Sequence, residues 1–195
     1  MKKIGILGGT FNPVHLGHLQ IAKNALEAAN LDSVILFPSK NPPHKNNEIV
    51  LPFEIRLELI EESIKNEPGL SVSDLDDREG KETYTYYLLQ KLKKRYPNAE
   101  LYFIIGEDNV SELKTWYKYE YLLEHLKFIV FTRETANLSK WQNLDYLSKL
   151  DFYQMKPINI SSSEIREKIK NHQIIKGLVP EIIENKIKKL IKYFE

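Results

Sequence analysis

Residues 3–18 read KIGILGGTFNPVHLGH. A short apolar run (3–7, KIGIL) passes into two glycines, then a proline, then two histidines three residues apart. A run of this kind suits a strand covered on both faces. Leu19, Ala22, Leu26 and Ala29 follow at helical spacing, so the stretch reads as the first strand–turn–helix of an α/β chain. The turn has two readings. It is an ordinary tight turn, or its glycines let the backbone approach a phosphate that the histidines also meet. The glycine spacing is neither the G-x-G-x-x-G dinucleotide fingerprint nor a P-loop.

Working outward, similar runs recur at 33–37 (SVILF), 101–105 (LYFII) and 127–131 (KFIVF), with weaker ones at 70–74 and 151–155. Helical stripes lie between them. Phe53, Leu57, Ile60 and Ile64 follow Pro52, which suits a first helical position. Leu88, Leu89, Leu92 and Tyr96 form a third stripe, and Ile183, Ile187, Leu190, Ile191 and Phe194 a last one. The alternation predicts an α/β fold, a Rossmann-like doubly wound parallel sheet of about five to six strands with flanking helices. One domain is expected over 1–195, with a C-terminal helical portion from about 160. Ligands of such sheets bind at the carboxyl ends of strands. Chemistry is therefore expected in the loops after residues 7, 37, 105 and 131, the longest being 38–51.

Composition narrows the classes. Lys and Arg number 28 against 27 Asp and Glu, a net charge of +1, so bulk electrostatic binding of nucleic acid or anionic membrane is not expected. The chain has no cysteine, which removes disulfides, thiolate metal sites and a cysteine nucleophile. The apolar run after MKK stops at Gly8, too short for a signal peptide, and none reaches membrane-spanning length. A cytoplasmic protein is expected.

His15 and His18 fall at the start of the first helix, on one face. There they are chance surface histidines, or donors to phosphate oxygens beside the positive end of the helix. A metal site is not expected, since no third ligand is evident. A second constellation, ISSSEIREKI (160–169), is a helix start with a capping-box pattern. Its serines and Arg166 also suit an anion site.

GGTFNPVHLGH resembles the first-loop signature of the nucleotidyltransferase superfamily, and Ile160 to Arg166 resembles its I-S-[ST]-x-x-[IV]-R segment. The resemblance implies that Gly8, Gly9, Thr10, Phe11, His15, His18, Gly106, Asp108, Ser161, Ser162, Ser163, Ile165 and Arg166 bind ATP. Asn12 stands where aspartate is commoner; its side chain is expected mainly to shape the turn.

NPPHK (41–45), TYTYYLL (83–89), the 103–123 segment, VFTR (130–133) and GLVPEIIENKI (177–187) resemble the bacterial nicotinate-nucleotide adenylyltransferases. That resemblance implies transfer of AMP from ATP to nicotinate mononucleotide, with Mg²⁺ accompanying ATP. Trp116 would stack on the pyridine ring, Thr85 would hold its carboxylate, and His44, Lys45 and Arg133 would grip phosphate. His15, His18, Lys45 and Arg166 are the expected catalytic residues. Each has a plainer reading. Trp116 can pack a helix on the sheet, Lys45 can be a solvated lysine, Arg133 can pair with Glu134, and Asp108 can cap a helix. Other phosphorylated acceptors (nicotinamide mononucleotide, phosphopantetheine) and a non-catalytic nucleotide sensor are the alternatives. Homo-oligomer formation is left open.

Overall fold

The structure, a computed structural model, describes residues 1–41, 49–75, 84–133 and 138–194, with Arg133 and Leu138 as main chain only. His44, Lys45 and the Arg133 side chain lie outside the described residues.

Six parallel strands form one sheet in the order β3-β2-β1-β4-β5-β6. They are β1 (Lys2–Gly9), β2 (Ser33–Pro38), β3 (Leu70–Val72), β4 (Ala99–Gly106), β5 (Lys127–Arg133) and β6 (Leu150–Met155). This is the doubly wound arrangement, whose order reverses between β1 and β4. The helices are α1 (Leu16–Ala28), α2 (Phe53–Ile64), α3 (Thr85–Arg95), α4 (Tyr119–His125), α5 (Ser162–Lys170) and α6 (Glu181–Lys188).

Alternation along the strands divides the core into two layers. Val34, Leu36, Tyr102, Ile104 and Ile129 face the layer that includes residues of α1, α2, α5 and α6. Ile35, Phe37, Leu101, Phe103, Ile105 and Phe128 face the layer that includes residues of α3 and α4. Because both faces are covered, these strands read as continuous apolar runs. Gly5 is part of the same logic. A Cβ there would stand 2.7 Å from Leu31 Cδ1 and 2.9 Å from Val34 Cγ2.

The C-terminal portion packs into the first of these layers. Ile165, Ile169, Ile183, Ile187 and Phe194 are buried in the cluster that holds α1 and α2. Lys186 bridges Glu58 and Glu62 of α2, each at 2.6 Å. Two expectations shift. Pro52 stands just before α2, with φ −47° and ψ 143°, rather than in its first turn. The last apolar stripe outruns its helix: α6 ends at Lys188, and Ile191–Tyr193 form one 3₁₀ turn that seats Phe194 in the core. No described helix is long and apolar enough to cross a membrane.

If the C-terminal portion belongs to a single cooperative unit, Phe194→Ala should lower stability by about 3–5 kcal/mol. Thermal or denaturant unfolding should then show one transition with a lowered midpoint. A separate early transition for the C-terminal portion would contradict this.

Candidate active site

β1 ends in Gly8 and Gly9, opposite Phe37 and Pro38 of β2, and β4 ends in Gly106 opposite Phe131 of β5. The order reversal thus opens a crevice at the carboxyl edge, and the first loop (10–15) crosses it. Phe11 in this loop takes a left-handed backbone angle, φ 50°, unusual for a bulky residue. Its ring is fully buried and meets the His18 ring with centroids 4.7 Å apart.

The two histidines form one unit. His15 is the residue before α1, and its main-chain N–H donates to His18 Nδ1 at 3.3 Å. The rings lie 3.7 Å apart between centroids, tilted by 31°. With Nδ1 accepting, neutral His18 carries its proton on Nε2. His15 is 7% exposed, and its buried Nδ1 has no hydrogen-bond partner among the described residues. Burial lowers the His15 pKa to about 4. Burial, and then the neighbouring His15, holds His18 well below the ordinary histidine range. Both imidazoles are therefore neutral at neutral pH. Gly17 makes room for them: a Cβ there would meet His15 Nδ1 at 2.9 Å and Ile158 Cγ2 at 3.1 Å.

The start of α1 offers fewer main-chain donors than its sequence suggests. The Leu16 N–H donates to Leu178 O at 3.0 Å, and the His18 N–H turns back to His15 O at 3.0 Å.

α5 brings the second motif to the same loop. Ser161 caps it, accepting from the Glu164 N–H at 3.1 Å. Ser162 Oγ donates to Pro13 O at 2.9 Å. Arg166 donates from Nη1 to Asn12 O at 3.0 Å and from Nη2 to Ser163 Oγ at 3.2 Å. All three serine hydroxyls thus have structural bonds, and the Ser162 and Ser163 amides open the helix as orphan donors. Phe11 and Ile165 are buried in the core, at 1% and 0% exposure. Any contribution they make to nucleotide binding passes through their main chain.

A cleft of ≈ 460 Å³ lies at the switch point. Its lining includes Gly8, Gly9, Thr10, His18, Thr85, Gly106 and Trp116. Trp116 stands edge-on to Phe103, with centroids 5.6 Å apart. Asp108 is exposed in the 3₁₀ turn Glu107–Asn109, and Asn109 lines the cleft instead. α5 meets the first loop at Asn12 and Pro13, outside the cleft lining. Sequence reasoning passed over Ser39. It lines the cleft, and among the described residues its buried Oγ has no hydrogen-bond partner. A lone serine after a strand carries no signal until its neighbours are placed.

Asn12 corrects an expectation. Rather than shaping its own turn, its side chain donates from Nδ2 to Ile49 O and accepts at Oδ1 from the Leu51 N–H, both at 2.9 Å. Both partners lie at the far end of the 38–51 segment.

The model of the cytidylyltransferase-like family matches residues 6–168. A chain of Clostridium tetani named "Probable nicotinate-nucleotide adenylyltransferase" is 38% identical, over 97% of this chain and 98% of its own. One of Oceanobacillus iheyensis with the same name is 38% identical, over 94% and 92%. The solved structure of Plasmodium falciparum nicotinic acid mononucleotide adenylyltransferase, complexed with NaAD, superposes with a TM-score of 0.79. At 23% identity, covering 100% of this chain and 99% of the other, it establishes the shared fold.

The buried neutral pair sets a pH dependence of stability. Unfolded histidine takes a proton as pH falls through its ordinary value of 6.5, whereas folded His15 stays neutral down to about 4. Stability is thus full above 6.5 and declines below it, by about 3 kcal/mol from His15 between those values. Denaturant titrations of the parent and of a His15→Gln/His18→Gln variant should differ in slope across this window. Equal slopes would contradict burial in the neutral form.

Proposed function

The chain belongs to the cytidylyltransferase-like family, and from that premise we propose that it is a nicotinate-nucleotide adenylyltransferase. It moves AMP from ATP to nicotinate mononucleotide, forming deamido-NAD and pyrophosphate. The observation that carries this reading is the switch-point cleft, where Gly8, Gly9 and His18 share one cavity lining with Thr85 and Trp116. The glycines and His18 suit a polyphosphate, and Trp116 suits a flat acceptor ring.

In this reading a phosphate oxygen of the acceptor attacks the α-phosphorus of ATP in line. The bond from that phosphorus to the bridging oxygen breaks, and pyrophosphate leaves with the electron pair. No covalent intermediate with the protein forms. Catalysis is positioning and stabilisation of charge on the phosphate oxygens. His18 donates from Nε2, His15 stands beside it, and Arg166 with the Ser162 and Ser163 amides offsets charge on the leaving group. Trp116 stacks on the pyridine, and Thr85 donates to its carboxylate. His44, Lys45 and Arg133 keep the phosphate-gripping roles that the resemblance gives them. Among the described residues no three His, Asp or Glu side chains form a metal cluster. Mg²⁺ bound with ATP would neutralise part of the phosphate charge, with phosphate oxygens and water as its ligands. The reaction is placed in the cytoplasm, with these small molecules as the partners.

Pyrophosphate release with ATP and nicotinate mononucleotide tests the reading. Turnover should be higher than with nicotinamide mononucleotide or phosphopantetheine; a preference for either would overturn the acceptor assignment. His18→Ala should lower kcat by about a hundredfold to a thousandfold, the loss seen when one preorganised donor is removed. Parent-like turnover in a folded His18→Ala variant would remove His18 from the mechanism.

A further inference from the structure

Arg56 lies on α2 and is 1% exposed. Its Nη1 donates to Thr10 O at 2.7 Å, in the first loop. Its Nε donates to Leu51 O at 2.9 Å, and its Nη2 reaches Lys40 O at 3.5 Å. Its guanidinium also stands 5.6 Å from the Phe53 ring centroid. One buried cation therefore draws together the first loop and both described ends of the segment that follows β2. Asn12, 3% exposed, adds a second tie between the same partners through Ile49 and Leu51. A third is the Ser39 N–H, which donates to Gly9 O at 2.9 Å.

A buried guanidinium is costly to desolvate, and it is retained where its fixed fork serves several acceptors at once. The described acceptors are main-chain carbonyls of Thr10, Lys40 and Leu51, so the outcome is the placement of loops. Thr10 and Ser39, one bonded to Arg56 and the other next to Lys40, both line the cleft.

We infer that Asn12 and Arg56 form a latch that fixes the first loop to both ends of the segment after β2, making them positioning residues for adenylyl transfer. Neither residue lines the cleft. Asn12 acts through both halves of its amide, the Nδ2 donor and the Oδ1 acceptor. Arg56 acts through its fork, which a lysine cannot reproduce. The effect on turnover rests on the proposed reaction; the latch itself does not.

Two variants cut the ties: Asn12→Ala removes both side-chain bonds, and Arg56→Lys keeps the charge without the fork. Amide hydrogen exchange reads the latch without substrate. Arg56→Lys should speed exchange of the Ser39 and Leu51 amides by about tenfold or more, although neither amide bonds to Arg56. Unchanged exchange at both would overturn the latch whatever the substrate proves to be. With ATP and nicotinate mononucleotide, each variant should lose about tenfold to a hundredfold in kcat. Its calorimetric Kd for a non-hydrolysable ATP analogue should stay within about threefold of the parent, because misplacement harms transfer more than ground-state binding. The double variant should fall short of the product of the single losses, since both residues serve one device. Parent-like kcat in both single variants, or losses that track analogue affinity or melting temperature, would reduce the pair to structural support. A parent that transfers nothing to nicotinate mononucleotide, but whose Arg56→Lys variant exchanges faster, would overturn the acceptor assignment and leave the latch standing.

Discussion

Arg166 donates to the main-chain oxygen of Asn12 at 3.0 Å, across 154 residues of chain. Beside it Ser162 Oγ reaches Pro13 O, and from α2 Arg56 reaches Thr10 O. The first loop therefore does not hold its shape alone. Its carbonyls point outward to donors on α5 and α2, and hydrogen bonds from charged donors are the stronger kind. With the loop so constrained, Phe11 keeps its left-handed backbone angle and its ring stays under His18. The sheet supplies the edge on which this happens, and α5 and α2 supply the donors that complete it.

The electrostatics of the site follow from that burial. Two imidazoles 3.7 Å apart would repel if both were charged. Burial and mutual proximity keep them neutral, so in the proposed reaction they would act as hydrogen-bond donors and not as fixed charges. Donors that are already oriented need little reorganisation when charge develops on phosphate. An arriving triphosphate would favour the charged imidazole, raising the pKa of both rings relative to the empty site.

The parallel sheet was legible in the sequence because strands covered on both faces are uniformly apolar. All six strand candidates became strands, including the short β3, whose three residues carry little pattern. Boundaries were harder. Pro52 shifted by one position, and the stripe from Ile183 to Phe194 concealed a helix end at Lys188, since a 3₁₀ turn can keep an apolar residue facing inward. His15, His18, Trp116 and Arg166 were expected as a set through motif resemblance; the structure brings His18 and Trp116 to the cleft and ties Arg166 to the first loop. Asn12 and Arg56 were not legible in this way. An asparagine beside a proline reads as turn chemistry, and an arginine in an amphipathic helix reads as surface. Their partners are main-chain oxygens and amides, which leave no trace in residue identity.

Nitrogen NMR of the histidine rings in the substrate-free protein bears most directly on catalysis by neutral, preoriented imidazoles. Both His15 and His18 should remain neutral from pH 8 down to about pH 5, with the His18 proton on Nε2. A His18 ring that titrates near the ordinary histidine value, or that carries its proton on Nδ1, would contradict the account.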